Sequence, residues 1–132
     1  MELGKIETSK LSFTFDKFQA IIDVSLKDGI GYWAVVKEDD LPVDIREKYR
    51  SFEFVEILSL AIWYEDYKAK VYSASNPSIV LGEVSMPSVK QALSKMSSDY
   101  NEFFLYLMQE PLDYIDCDVF FQLATMGDVK FG

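Results

Sequence analysis

Apolar residues first fall into a helical spacing at Phe15, where Phe15, Phe18, Ile22 and Leu26 share one face with Ile21 beside them. Thr14 is placed to cap this helix, and Gly29 to stop it through a left-handed turn. The pattern then changes. Ile30 to Glu38 carries Tyr32, Trp33, Val35 and Val36, which suit a pleated surface and predict a strand. Asp39-Asp40-Leu41-Pro42 breaks it, and the four-residue recurrence of Leu41, Ile45 and Tyr49 predicts a short helix over Val43–Tyr49. Phe52, Phe54, Leu58, Leu60 and Ile62 alternate, Glu56 excepted, although Val55, Leu58 and Ile62 also fit a helix. The alternation predicts strands over Phe54–Tyr64 and Lys68–Ser73, turning at Glu65-Asp66. Asn76-Pro77 signals a further turn before a third strand over Ile79–Val84. Connections this short cannot carry a parallel crossover, so an antiparallel meander is expected.

The remainder reads as helix. Pro87 suits a first helical position, and Val89, Leu93 and Met96 share a face. Asp99 with Glu102 resembles a capping box that opens a helix turning Phe103, Phe104, Leu107 and Met108 inward, with Pro111 ending it. Asp113 is placed to cap a last helix that buries Ile115, Val119, Leu123 and Met126 and stops at Gly127. Val129-Lys130-Phe131 would add a short edge strand. The expected fold is α+β, a small antiparallel sheet with helices packed mainly on one face, in a single domain over residues 1–132.

Composition narrows the class. Apolar residues at 49% and aromatics at 15% argue against disorder, and no apolar run approaches the ~20 residues of a membrane span. The polar start MELGKIETSK lacks a signal-peptide layout, and a lone cysteine permits no internal disulfide, so a soluble protein of the cytoplasm is expected. The net charge of −9 argues against direct nucleic-acid binding. The excess is uneven. Residues 1–95 carry fifteen acids and twelve bases, whereas residues 96–129 carry seven acids (Asp99, Glu102, Glu110, Asp113, Asp116, Asp118 and Asp128) and no base. Aromatics, among them Tyr100, Tyr106, Tyr114 and Phe120, are threaded through them.

Candidate chemistry is sparse. The chain has no histidine, which removes the commonest general base and, with only Cys117 as a soft ligand, any ordinary zinc site or Cys–His pair. No phosphate-binding glycine loop is present; Asp28-Gly29-Ile30-Gly31 reads as the end of one helix and the start of a strand. Asp113, Asp116 and Asp118 suit the positive end of a helix dipole better than a cation site, because 118 points away from the face shared by 113 and 116. Cys117, between two acids, should resist ionisation. No catalytic residue, metal ligand or cofactor is expected. Tyr32 and Trp33 read either as core anchors or as a platform with one ring exposed for a ligand or a second copy of the chain. Gln122, within an apolar helical surface, must find bonding partners in a neighbouring element or in a ligand.

Two segments carry a resemblance. One is Lys27-Asp28-Gly29-Ile30-Gly31-Tyr32-Trp33-Ala34, which contains Gly-x-x-Tyr-Trp. The other is residues 113–132, where Asp118, Gln122, Gly127 and Gly132 spell Asp-x-x-x-Gln-x-x-x-x-Gly-x-x-x-x-Gly. Together they cover about a fifth of the chain. This pairing resembles small uncharacterised proteins of bacteriophages and other mobile elements, with Met126 standing before Gly127 where those proteins more commonly have an aromatic. The resemblance implies a setting and no activity.

In that setting, the expected function is a non-enzymatic acidic binding protein, an inhibitor of a host defence or nucleic-acid-handling protein by charge mimicry. Asp99, Glu102, Glu110, Asp113, Asp116 and Asp118 would meet a basic surface, with Tyr32, Trp33 and Gln122 as further contacts. Two alternatives stay open. One is an immunity protein that neutralises a basic nuclease toxin. The other is a small-ligand binder or hydrolase with a pocket near Tyr32, Trp33 and Gln122.

Overall fold

The computed structural model describes residues 5–8 and 11–132. Its elements run β1 (Lys5–Thr8), β2 (Leu11–Thr14), α1 (Phe15–Val24), β3 (Ala34–Val35), α2 (Val43–Lys48), α3 (Phe54–Tyr64), β4 (Ala69–Ser73), β5 (Val80–Val84), α4 (Met86–Asp99), α5 (Asn101–Leu107) and α6 (Tyr114–Met126). The class is α+β, as expected. β1 and β2 form a separate antiparallel hairpin, and β3, β4 and β5 form a three-stranded antiparallel sheet in that order.

α6 is the central helix. From Asp116 to Thr125 every residue except Asp118 is buried, and the helix packs against α4, α5, α1 and β5. Burial on nearly all sides explains why its sequence shows no clean apolar stripe. Asp113 caps it, accepting from Ile115 N at 2.7 Å. Gly127 ends it in the left-handed conformation at φ 77°, as expected. Ile115, expected in the core, is instead exposed, because the inward side of the first turn is taken by Asp116 and Cys117.

The main correction is Phe54–Tyr64, which is helix α3 and not a strand. Ile57, Leu58, Ser59, Ala61, Ile62 and Trp63 are all buried, so the helix is apolar around most of its girth and its alternation carries no strand information. Glu56, the exception to the alternation, is the residue that closes the capping box with Glu53, its carboxylate accepting from Glu53 N at 3.3 Å. The meander is accordingly completed by β3 in place of residues 54–64. β4 and β5 fall where expected.

The strand expected over Ile30–Glu38 contracts to Ala34–Val35. Helix α1 runs on into a wide turn over Ser25–Gly29, closed by Ile30 N on Ser25 O at 2.9 Å. Ile30 O then takes both Trp33 N and Ala34 N at 2.9 Å, folding residues 30–33 into a turn. Gly29 does not use the left-handed conformation expected of it; a Cβ there would lie 3.3 Å from Tyr114 O, so its role is close approach to α6. Thr14 does cap α1, accepting from Lys17 N at 3.1 Å.

Smaller corrections follow the same logic. Asp99 ends α4 and does not open α5, whose N-cap is Tyr100 without a side-chain bond. Ser85 and Ser88 form the capping box of α4, leaving Pro87 second in that helix. Val129–Phe131 forms no strand, because the amides of Lys130 and Phe131 bond a side chain. Asp40 and Glu65, expected to be merely solvated, accept from Tyr72 and from Lys48 and Tyr49. Among the described residues no helix is long and apolar enough to cross a membrane.

Candidate functional site: a motif clamp and an acidic groove

The two segments that carry the resemblance meet in space. Trp33 is buried, at 3% exposure, and donates through Nε1 to Asp118 Oδ1 at 2.8 Å. Tyr32 is 58% exposed, but its hydroxyl turns inward to Asp118 Oδ2 at 2.6 Å. Lost hydration at that hydroxyl and the adjacent carboxylate push the phenol up to about 12. Gln122, only 1% exposed, donates from Nε2 to Asp118 Oδ1 at 3.2 Å and to Phe131 O at 2.9 Å. Its Oε1 accepts from Lys130 N and Phe131 N, each at 2.8 Å. The amide's two protons and two lone pairs are thus all used. Phe131 stacks on Trp33, with ring centroids 5.3 Å apart and planes at 15°.

This arrangement is a clamp. A turn (residues 30–33), one turn of α6 and the C-terminal residues are bonded through Asp118 and Gln122. The chain's own tail occupies the positions that a ligand near Tyr32, Trp33 and Gln122 would take. Asp118 is therefore separated from the other acids and already meets three donors.

The remaining acids split into two groups. Asp128 lies 3.8 Å from Lys95 Nζ and accepts from Val129 N at 2.9 Å; Tyr100 feels both Asp128 and Asp99. The other group is Glu110, Asp113 and Asp116 at the junction of α5 and α6, with Glu102, in the first turn of α5, near enough for its charge to act on Asp116. Glu102, Glu110 and Asp113 are exposed. Lys17 bonds Glu110 Oε1 at 3.1 Å and Gln109 O at 3.4 Å, at the edge of the group.

Asp116 differs from them all. It is 7% exposed, and no donor among the described residues reaches its carboxylate. Burial, then the charges of Asp113 and Glu102, raise its pKa above the usual aspartate value. The neighbouring Cys117 thiol is pushed up to about 12, chiefly by burial and next by Asp116 and Asp113, so it is inert as a nucleophile.

Asp116, Asp113 and Glu110 line a groove of about 390 Å³ together with Tyr106, Gln109, Pro111 and Ile115. Of these, Tyr106 and Ile115 are exposed large apolar side chains, and their sequence neighbours Leu105 and Tyr114 are exposed as well. A larger depression of about 610 Å³ lies between α4 and the end of α6, but Lys95 on its wall is held by Gly127 O at 2.8 Å. Among the described residues no group of acids and cysteine has the arrangement to hold a metal ion.

Leu105, Tyr106, Tyr114 and Ile115 were not singled out from the sequence as contacts. A signal existed: once Phe104 and Leu107 face the core, the 100° step of a helix turns 105 and 106 outward. No protein-family model, curated protein or solved structure matches the chain.

Proposed function

We propose that this is a non-enzymatic acidic binding protein of a phage or mobile element that occupies a basic site on a host defence or nucleic-acid-handling protein. The binding face is the α5–α6 junction. The observation that carries the reading is the co-location there of Glu110, Asp113 and Asp116 with the exposed side chains of Tyr106 and Ile115, with Glu102 near enough for its charge to act on Asp116. Acids on one face steer a basic surface into encounter, and aromatics beside them that lose water on contact hold it. The phage or mobile-element setting rests on the resemblance of residues 27–34 and 113–132, and the clamp built from those residues supports a structural role for the motif itself.

The test is capture of host proteins on the immobilised chain, with the contact mapped by cross-linking. The expected partner is basic, cross-links near Tyr106 and Tyr114, and is released in about 1 M salt, where screening shortens the reach of charge to roughly 3 Å. Replacing Glu102 and Glu110 with Gln should slow association, whereas Tyr106→Ala with Tyr114→Ala should speed dissociation. Capture that survives both the salt and all four substitutions would overturn the reading.

A further inference from the structure

A carboxylate that is nine-tenths buried normally has a donor, because removing an ion from water without one costs several kcal/mol. Asp116 has none among the described residues, although it is 7% exposed. The open N–H groups at the start of α6 offset part of that cost. Two further carboxylates, Asp113 and Glu102, act against it. Lys17, which reaches the groove residue Glu110, is already engaged by Glu110 and Gln109. Asp113 has one oxygen on Ile115 N. The groove therefore presents a carboxylate that opens onto it and meets no donor among the described residues.

The shape says which donor. A space of about 390 Å³ is far larger than a bare ion needs, and the acids are not arranged as metal ligands. Its wall includes the ring of Tyr106 and the aliphatic surface of Ile115 and Pro111. An aromatic wall beside carboxylates suits a flat, delocalised cation on an apolar stem, which is the description of arginine more than of lysine. We propose that this groove receives an arginine side chain of the partner protein, whose guanidinium donates to Asp116. The proposal rests on the reading of the α5–α6 face as a protein-binding surface, and it names the residue type that the face selects.

The test uses the full chain and a capped Ala-Arg-Ala peptide, with a twin in which citrulline replaces arginine at the same shape without the charge. Amide resonances of Ile115, Asp116 and Tyr106 should shift saturably with the arginine peptide and not with the citrulline twin. Asp116→Asn should weaken binding roughly tenfold or more, as expected for loss of a charge-assisted bond. Asp99→Asn, outside the groove, should leave it unchanged. An equal response to citrulline, shifts mapping elsewhere, or an Asn variant that binds as tightly would overturn the proposal. The citrulline comparison needs no variant, so a folding defect cannot obscure it. The two readings also fail separately. A host partner released by the Glu102 and Glu110 substitutions but indifferent to Asp116→Asn keeps the face and removes the groove. Arginine-peptide binding at Asp116 with no face-dependent partner removes the protein-binding reading on which the proposal rests.

Discussion

Replacing Gln122 with Met removes the clamp while nearly preserving side-chain volume. Gln122 holds the C-terminal residues through three bonds of 2.8–2.9 Å: from Lys130 N, from Phe131 N and to Phe131 O. Each such bond is worth about 0.5–1.5 kcal/mol net. Lys130 and Phe131 are exposed, so their freed amides can return to water, which places the sum near the low end, about 1.5–3 kcal/mol. Loosening of Phe131 from the Trp33 ring adds about 0.5–1.5 kcal/mol. The bond from Nε2 to Asp118 is also lost, but Asp118 keeps Trp33 and Tyr32 as donors. The expected destabilisation is therefore about 2–4 kcal/mol, a fall in Tm of roughly 5–15 °C for a domain of this size. Denaturant melts would measure it, and hydrogen exchange would locate it, since the Lys130 and Phe131 amides should be protected in the parent and unprotected in the variant. A Met variant within about 0.5 kcal/mol of the parent, or a parent whose tail amides already exchange freely, would refute the clamp.

Gly82→Ala should be severe. A Cβ there would sit 2.0 Å from Thr125 O and 2.9 Å from Thr125 C, backbone atoms of the central helix that no rotamer change can move. Lifting α6 from β5 should cost about 3 kcal/mol or more, while Gly31→Ala, with nothing within 4 Å, should stay within about 0.5 kcal/mol; equal melting of the two variants would contradict the packing. Asp116→Asn should stabilise the free protein at neutral pH. Its folded pKa is raised above the ordinary 3.8 by burial and by Asp113 and Glu102, so its favourable contribution is complete below that value and is lost as pH rises through the folded pKa. The Asn variant's advantage should vanish on acidification, and an advantage independent of pH, or a deficit at pH 7, would show that the carboxylate is not the strained group described.

Legibility followed exposure to water. Where an element has one wet side, as in α1, α2 and β4, period and caps placed it to within a few residues. Where burial surrounds the element, period fails. α3 shows this: its buried Ile57, Leu58, Ala61 and Ile62 cover most directions, and the alternating reading picked out one subset of them. The signal that should have decided was the capping pair Glu53 and Glu56, which is independent of hydrophobic period. The turn at residues 30–33 was illegible because β-propensity registers that Tyr and Trp want a packed surface, and here that surface is α6. The site was legible in composition but not in grouping. Seven acids in one stretch were plain, whereas their separation into a clamp, the surroundings of Tyr100 and a groove depends on which helix face each occupies.

That separation also decides which acids call for a partner. Asp118 is answered by Trp33, Tyr32 and Gln122, Asp128 by Lys95 and a backbone amide, Glu110 by Lys17, and Asp113 by the cap of α6. A charge answered within the fold is accounted for by the fold. Asp116 is answered by no donor among the described residues, and it lies where apolar side chains are left in water. Amide substitution should therefore act in opposite directions at two positions two residues apart in the motif segment. At Asp118 the amide keeps one oxygen for Trp33 and Gln122 but turns a donor toward the Tyr32 hydroxyl and removes the charge that all three donors meet, so it must lower stability. At Asp116 it relieves an uncompensated buried charge and must raise stability while weakening the complex. Stability and binding pull apart at 116 because the energy lost in keeping that carboxylate buried is recovered only when a cation arrives.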